Sequence, residues 1–233
     1  PYTTLFRSYS YLGKGIRETN EDYIKSEILS DSISLHVVAD GMGGYEHGEE
    51  ASKTAAEAIF EFFAENNIEG DIPALIQQAI KFANNQILTL RNQYHSKLGT
   101  TIAGVLIIDN TAYAFWLGDV QIQHFRDGKQ LFISESHTLI NEMKINGKIS
   151  IKDINRFKHI VSKSLSGSPI DKQMPIIEFQ LYQGDNIVIS SDGLYALINP
   201  IQLANDLILG IDERMQLFEK QAKDNFSIII LLK

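Results

Sequence analysis

The order in which hydrophobic periodicities occur along this chain limits its fold more than any single motif. After Gly48, residues Ala51, Ala55, Ala58, Ile59, Phe62 and Phe63 fall on one helical stripe, with Glu49, Glu50, Lys53, Glu57 and Glu61 elsewhere, which predicts an amphipathic helix. A second helix is expected from Asp71, a good N-cap followed by Pro73, with Leu75, Ile76, Ala79, Ile80, Ala83 and Ile87 facing inward. No helix follows. The runs TIAGVLIID, TAYAFWLGD, VQIQHF and QLFIS come in direct succession, punctuated by Asp109-Asn110 and by the hairpin signal Asp127-Gly128. They predict an antiparallel meander. Helices that bunch before and after strands, instead of alternating with them, point to an α+β class of antiparallel sheets covered by helices on their outer faces.

The remainder keeps to this plan. IIEFQLY and NIVISSD, joined at Gln183-Gly184-Asp185, predict another hairpin; helices are expected over 200–209 and 213–220, and FSIIILLK closes the chain as a strand. The segment 135–175 is polar and mixed, contains SLSGSP, and reads as a surface insertion. The first eight residues, PYTTLFRS, look like a translated sequencing adapter and are set aside as foreign to the fold. Residues 9–233 are then expected to form a single domain, with a native start upstream of Ser8.

Composition narrows the chemistry. A formal charge of -8 disfavours nucleic acid and anionic membrane as partners. With no cysteine, there is no thiolate metal site and no thiol nucleophile. No apolar run approaches the length of about 18 residues that a membrane helix needs. Catalysis, if present, must use oxygen and nitrogen ligands.

Acids supply the oxygen. Asp40 in ADGMGG, Asp119 in WLGDV, Asp192 in SSDGLY and Asp224 in KDNFS all sit at abrupt strand ends, and Glu21-Asp22 lie together in RETNEDY. A single Asp-Gly is usually only a turn, and Asp127-Gly128 is read that way. Several carboxylates gathered at one end of a sandwich would repel one another unless cations intervened. Hard oxygen donors of this kind select magnesium or manganese over zinc.

In order, RETNED, ADGMGGYEHGEEAS, LGTTIAGVLI, LGDVQIQHFRDGK, GDNIVISSDGLYALI and DNFSIIIL resemble the six motifs of the metal-dependent serine/threonine protein phosphatases, the PPM or protein phosphatase 2C family, in its bacterial form. The likeness runs from Ser8 to Lys233. It implies a four-layer α-β-β-α sandwich, two packed antiparallel sheets flanked by antiparallel helix pairs. It further implies that Asp40 bridges two ions, manganese or magnesium, that the Gly41 carbonyl joins one of them, and that Asp192 and Asp224 complete one ion's shell. By the same resemblance Glu21 serves the other ion, Asp22 holds metal-bound waters, and Asp119 shares a third ion with Asp192. Arg17 stands where the family grips the substrate phosphate. The implied reaction is in-line attack of a metal-bridging hydroxide on phosphoserine or phosphothreonine, without a covalent intermediate.

Two departures qualify the likeness. Val120-Gln121 replaces the Ser-Arg that many relatives carry after the fourth-motif aspartate, which touches the third ion, and Met42 replaces the histidine of animal relatives. The segment 135–175 resembles the family's flap beside the active site. Among the histidines, His36 is expected to be packed, His47 to lie in a loop near the site and His137 to start a helix; Lys163 and Arg126 read as structural or solvated. The implied partners are phosphoproteins and a cognate Ser/Thr kinase, for a cytoplasmic monomer. The rivals are a catalytically silent phosphoprotein binder and a phosphatase of small esters.

Overall fold

A computed structural model describes residues 6–42, 47–145, 157, 160–170, 174–195, 197–198 and 211–233. The strands are β1 (Arg7–Gly13), β2 (Asp22–Ser30), β3 (Ile33–Gly41), β4 (Thr100–Ile108), β5 (Thr111–Leu117), β6 (Gln121–Arg126), β7 (Lys129–Ile133), β8 (Ile176–Gln180), β9 (Asp185–Ser190) and β10 (Phe226–Leu232). The helices are α1 (Gly48–Glu65), α2 (Ile72–Tyr94), α3 (Leu139–Ile145), the single turn α4 (Asp192–Tyr195) and α5 (Ile211–Gln221).

The strands form two five-stranded antiparallel sheets, ordered β1-β10-β9-β6-β7 and β2-β3-β4-β5-β8. Period-two alternation sorts each strand between two apolar layers. Val38, Ala103, Val105, Ala114, Ile122, Ile187, Ile189 and Ile229 meet between the sheets. The opposite face of the second sheet, with Val37, Ala39, Ile102, Leu106 and Phe115, packs under the stripes of α1 and α2, including Ala55, Ile59, Ile76 and Ile80. The outer face of the first sheet, with Val188, Ile228 and Ile230, packs under Met215 and Phe218 of α5. The expected α+β sandwich of helix, sheet, sheet and helix layers is what the chain builds.

Both long helices start as the sequence predicts, by different means. Asp71 accepts a hydrogen bond from the Ala74 amide at 3.0 Å, capping α2. α1 is entered through His47 in the left-handed region (φ 68) with no side-chain cap, and its first turn carries Glu49 and Glu50 at the positive end of the helix dipole. Asp127 (φ 48) and Gly128 (φ 73) both take positive φ, as a two-residue hairpin turn between β6 and β7 requires.

Three expectations need correction. The four central runs are two hairpins, β4-β5 and β6-β7, not one meander, because the chain leaves one sheet after β5 and enters the other at β6. IIEFQLY and NIVISSD likewise form no hairpin: β8 pairs with β5, whereas β9 lies between β6 and β10. A sheet change and a hairpin need the same local turn residues, so the local pattern does not separate them. The segment 135–175 is not wholly a surface insertion either, since Leu165 is completely buried and bridges to Thr100. The helix expected over 200–209 falls outside the described residues, whereas α5 contains the one expected over 213–220. Arg7 and Ser8, set aside by the adapter reading, pair with Leu232 and Leu231; a backbone ladder accepts any extended residue, so the pairing says nothing of their origin.

Candidate active site

One end of the sandwich collects the acids. Asp40, at the end of β3, stands opposite Asp22 on β2 and opposite Thr101 on β4. The Gly41 amide bonds to the Glu21 carbonyl at 3.0 Å, and a Cβ there would lie 2.3 Å from the Gly48 carbonyl oxygen. Only glycine lets the β3 end approach the start of α1 this closely. On the other sheet, Asp192 opens α4 directly after β9, and a Cβ on Gly193 would sit 1.9 Å from the Asn225 carbonyl oxygen. That contact presses α4 onto the Asp224-Asn225 turn. Asp119 lies in the crossover after Gly118 (φ +113), whose amide donates to His137 Nδ1 at 3.1 Å and whose carbonyl accepts from the His137 amide at 2.7 Å.

The electrostatics follow from this gathering. Burial raises the Asp40 carboxyl well above its usual range, and Asp22, Asp192, Asp119 and Asp224 raise it further. Burial pushes Asp22 up to about 7, with Asp192 and Asp224 adding to the shift and hydrogen bonding to Ser191 opposing it. Asp119 rises to about 6, through burial and then Asp192. Glu21 is raised by burial and by Glu49, against the pull of Arg17. A cation reaches them from Arg17, whose Nη2 donates to Asp224 Oδ2 at 2.7 Å.

Asp22 shows what the cluster lacks. Its Oδ2 accepts from Ser191 Oγ at 2.7 Å, but its Oδ1 is buried without a hydrogen-bond partner among the described residues. An unmatched acceptor among mutually repelling carboxylates fits a hard divalent cation or its water. As they stand, no three His, Asp or Glu side chains among the described residues come together closely enough to chelate an ion. Magnesium and manganese sites of this type keep several waters, so few direct protein ligands are needed.

The sequence-predicted positions Arg17, Glu21, Asp22, Asp40, Gly41, Asp119, Asp192 and Asp224 therefore lie at the same end of the two sheets. Arg17, expected at the substrate, is paired instead with an expected metal ligand. Val120, the departure beside Asp119, is 1% exposed and fills the core between the sheets. Residue patterns missed the supports. Asn225 accepts from the Glu21 amide at 2.9 Å and donates to the Lys14 and Thr19 carbonyls at 3.0 and 2.9 Å. Tyr195 donates to the Asp119 carbonyl at 3.0 Å. Their adjacency to Asp224 and to the Asp192 turn was the available signal. Of the expected bystanders, His36 is buried between Ser26 and Ser34, at 2.6 and 3.0 Å.

Comparison with known proteins finds serine/threonine phosphatases. The protein phosphatase 2C family matches residues 16–226, and the chain belongs to it. Membership makes it a phosphoprotein phosphatase. Among named relatives, protein phosphatase PhpP of Streptococcus pneumoniae is 26% identical over 78% of this chain and 76% of its own length. The S. agalactiae serine/threonine phosphatase superposes with a TM-score of 0.83 at 24% identity, covering 97% of this chain and 99% of that one. The catalytic domain of serine/threonine phosphatase PstP, solved in complex with two manganese ions, gives a TM-score of 0.79 at 21% identity over 98% and 99% of the two chains.

Proposed function

We propose that this phosphatase removes phosphate from phosphoserine and phosphothreonine in proteins with two manganese or magnesium ions held by Asp40, the Gly41 carbonyl, Asp192 and Asp224, with Glu21 and Asp22 on the second ion and its waters. The observation that carries this reading is the gathering of Asp40 with Asp22, Asp119, Asp192 and Asp224, from separate strand ends, around a buried Asp22 Oδ1 that has no hydrogen-bond partner among the described residues. Such repulsion is costly in a protein with no task for it. The manganese in PstP supports the same ion class here. Asp119, with Asp192, would serve a third ion.

Bound ions would supply positive charge for the phosphoryl oxygens and a water acidified enough to attack near neutral pH. The chain supplies the rest. Arg17, 48% exposed at its side chain, would turn its planar fork from Asp224 to two phosphate oxygens once a cation neutralises that aspartate. Ser191 and Ser227 fix Asp22: Ser191 Oγ donates to it and accepts from the Ser227 amide at 2.9 Å. Tyr195 and His137 hold the Asp119 crossover from two sides.

The segment 135–175 we read as a flap over substrate access. Its His137 is tied to the Asp119 crossover, and Leu117, Ser162, Lys163 and Ile170 are among the residues lining a cavity of about 390 Å³ beside it. Substrates would be phosphoproteins acted on by a partner Ser/Thr kinase, in the cytoplasm, by a monomer. No helix among the described residues is long and apolar enough to cross a membrane. Hydrolysis of p-nitrophenyl phosphate and of a phosphothreonine peptide, with manganese and with EDTA, tests the reading. Activity is expected with manganese on both; activity undiminished by EDTA would refute it, and turnover of the small ester alone would favour the rival substrate class.

A further inference from the structure

The segment that carries Arg17 and Glu21 has no regular structure, yet it is fastened along its length to residues some two hundred positions away. Glu219 on α5 accepts from the Lys14 and Gly15 amides through one oxygen, Oε1, at 3.0 and 3.2 Å. The next amide, Ile16, donates to the Ala222 carbonyl at 3.1 Å. Asn225 then holds the Lys14 and Thr19 carbonyls and the Glu21 amide. Glu219 is the outermost of these anchors and the only one supplied by a side chain of the α5 helix.

Close packing leaves this anchor no slack. A Cβ on Gly13 would meet Phe226 at 2.2 Å and Glu219 Oε2 at 2.6 Å, so β1 lies directly against the carboxylate. Gly15 bends back at φ +61, with its would-be Cβ 2.5 Å from the Asp224 carbonyl oxygen. The turn at 14–15 is thereby folded down on the Asp224 strand end, and the Arg17 side chain emerges two residues later beside Asp224. Two backbone amides that would otherwise be free to rotate are converged on one acceptor, which fixes where the next residues point.

We infer that Glu219 is a positioning residue for phosphate binding: it acts through the 14–16 turn to set the place of the Arg17 guanidinium, and it touches neither substrate nor ion. The inference rests on the reading of Arg17 as the phosphate grip. An arginine fork recognises two oxygens only in a narrow geometry, so a displaced turn weakens phosphate binding more than it weakens chemistry. The acceptor, not the charge, is the essential feature. Glutamine keeps a carbonyl oxygen at the same reach, whereas alanine removes it.

The test uses the full chain with saturating manganese, measuring KM and kcat for p-nitrophenyl phosphate and the inhibition constant of inorganic phosphate. Glu219→Ala is expected to raise KM and the phosphate inhibition constant roughly tenfold with kcat changed less than about threefold. Glu219→Gln is expected to stay within about twofold of the parent on both. Arg17→Ala calibrates the scale. If Arg17→Ala raises the phosphate inhibition constant and Glu219→Ala leaves it unchanged, or if Glu219→Gln fails as badly as Glu219→Ala, the positioning role is wrong while the reading of Arg17 stands. If Arg17→Ala itself leaves phosphate inhibition unchanged, the Arg17 reading and the inference built on it both fall. Should Glu219→Ala not fold, Glu219→Asp, one methylene too short to reach both amides, is read by the same criteria.

Discussion

Two acids at opposite ends of the first sheet have met opposite fates. Asp185 begins β9 and is completely buried; burial alone would raise it, but Arg126 Nε and Nη2, at 2.5 and 2.9 Å, and the Tyr182 amide hold its carboxyl below the usual range. Asp192 follows the far end of the same strand, where Asp40, Asp22 and Asp119 are all raised by burial and by neighbouring acids. One end resolves its buried charge with an arginine fork, as structural sites do. The other keeps the carboxyls of Asp40, Asp22 and Asp119 raised, as sites that wait for an exogenous cation do. Position in the fold is equivalent; carboxyls that stay raised although Arg17 reaches Asp224 mark the functional end.

Substitution separates the two ends most sharply. Asp40→Asn should lower phosphatase kcat by at least about a hundredfold, yet leave the metal-free thermal midpoint equal or higher, because it removes repulsion at that end. Activity assays paired with thermal unfolding in EDTA check both halves. Arg126→Ala should do the converse. It leaves the buried Asp185 carboxylate with only His124 and the Tyr182 amide and should destabilise the fold measurably. Urea unfolding measures that loss, and kcat at low temperature should stay within about twofold.

The pH response should differ in sign between the ends. For Asp22, whose folded-state pKa is about 7, and Asp119, about 6, the folded state holds more protons than the unfolded chain between their ordinary value near 4 and those raised values. Metal-free stability should therefore fall as pH rises through that window and level off above it. Asp185, with a depressed pKa, contributes stability that is full above its ordinary value and is lost as pH falls through its folded value. Thermal midpoints in EDTA from pH 3 to pH 8 should thus pass through a maximum, and manganese should lift the alkaline side. A flat profile above pH 5 would contradict the account of the carboxylate end.

How much of this was legible in the sequence depends on the range of each contact. Asp71 and the stripe of α2 are local, and both are as the sequence predicts. The acids were legible as a set because each sits at a strand end beside glycine or asparagine. The crossovers at 118–120 and 181–184 were not, since the alternation of β5, β6, β8 and β9 is the same whether neighbouring runs pair or part. Glu219 was unreadable for a related reason: an ordinary exposed-helix glutamate in sequence, it gains its meaning only from two amides that fold brings to it.

The smallest expected effect belongs to Tyr195, whose hydroxyl spans from α4 to the Asp119 carbonyl. Tyr195→Phe should cost about 1 kcal/mol of stability and lower kcat only a few-fold, read by chemical unfolding and steady-state assay. A larger loss of activity than Asp40→Asn would place the chemistry at the crossover and not at the bridging aspartate.

The central claim, that these acids are gathered to hold cations, is tested most directly by anomalous diffraction from crystals equilibrated with manganese. Two strong anomalous peaks are predicted against Asp40, one shared with Asp192 and Asp224 and the other facing Glu21 and Asp22, with the Gly41 carbonyl on one of them. A map without manganese at Asp40, from protein that remains active in the same solution, would contradict it.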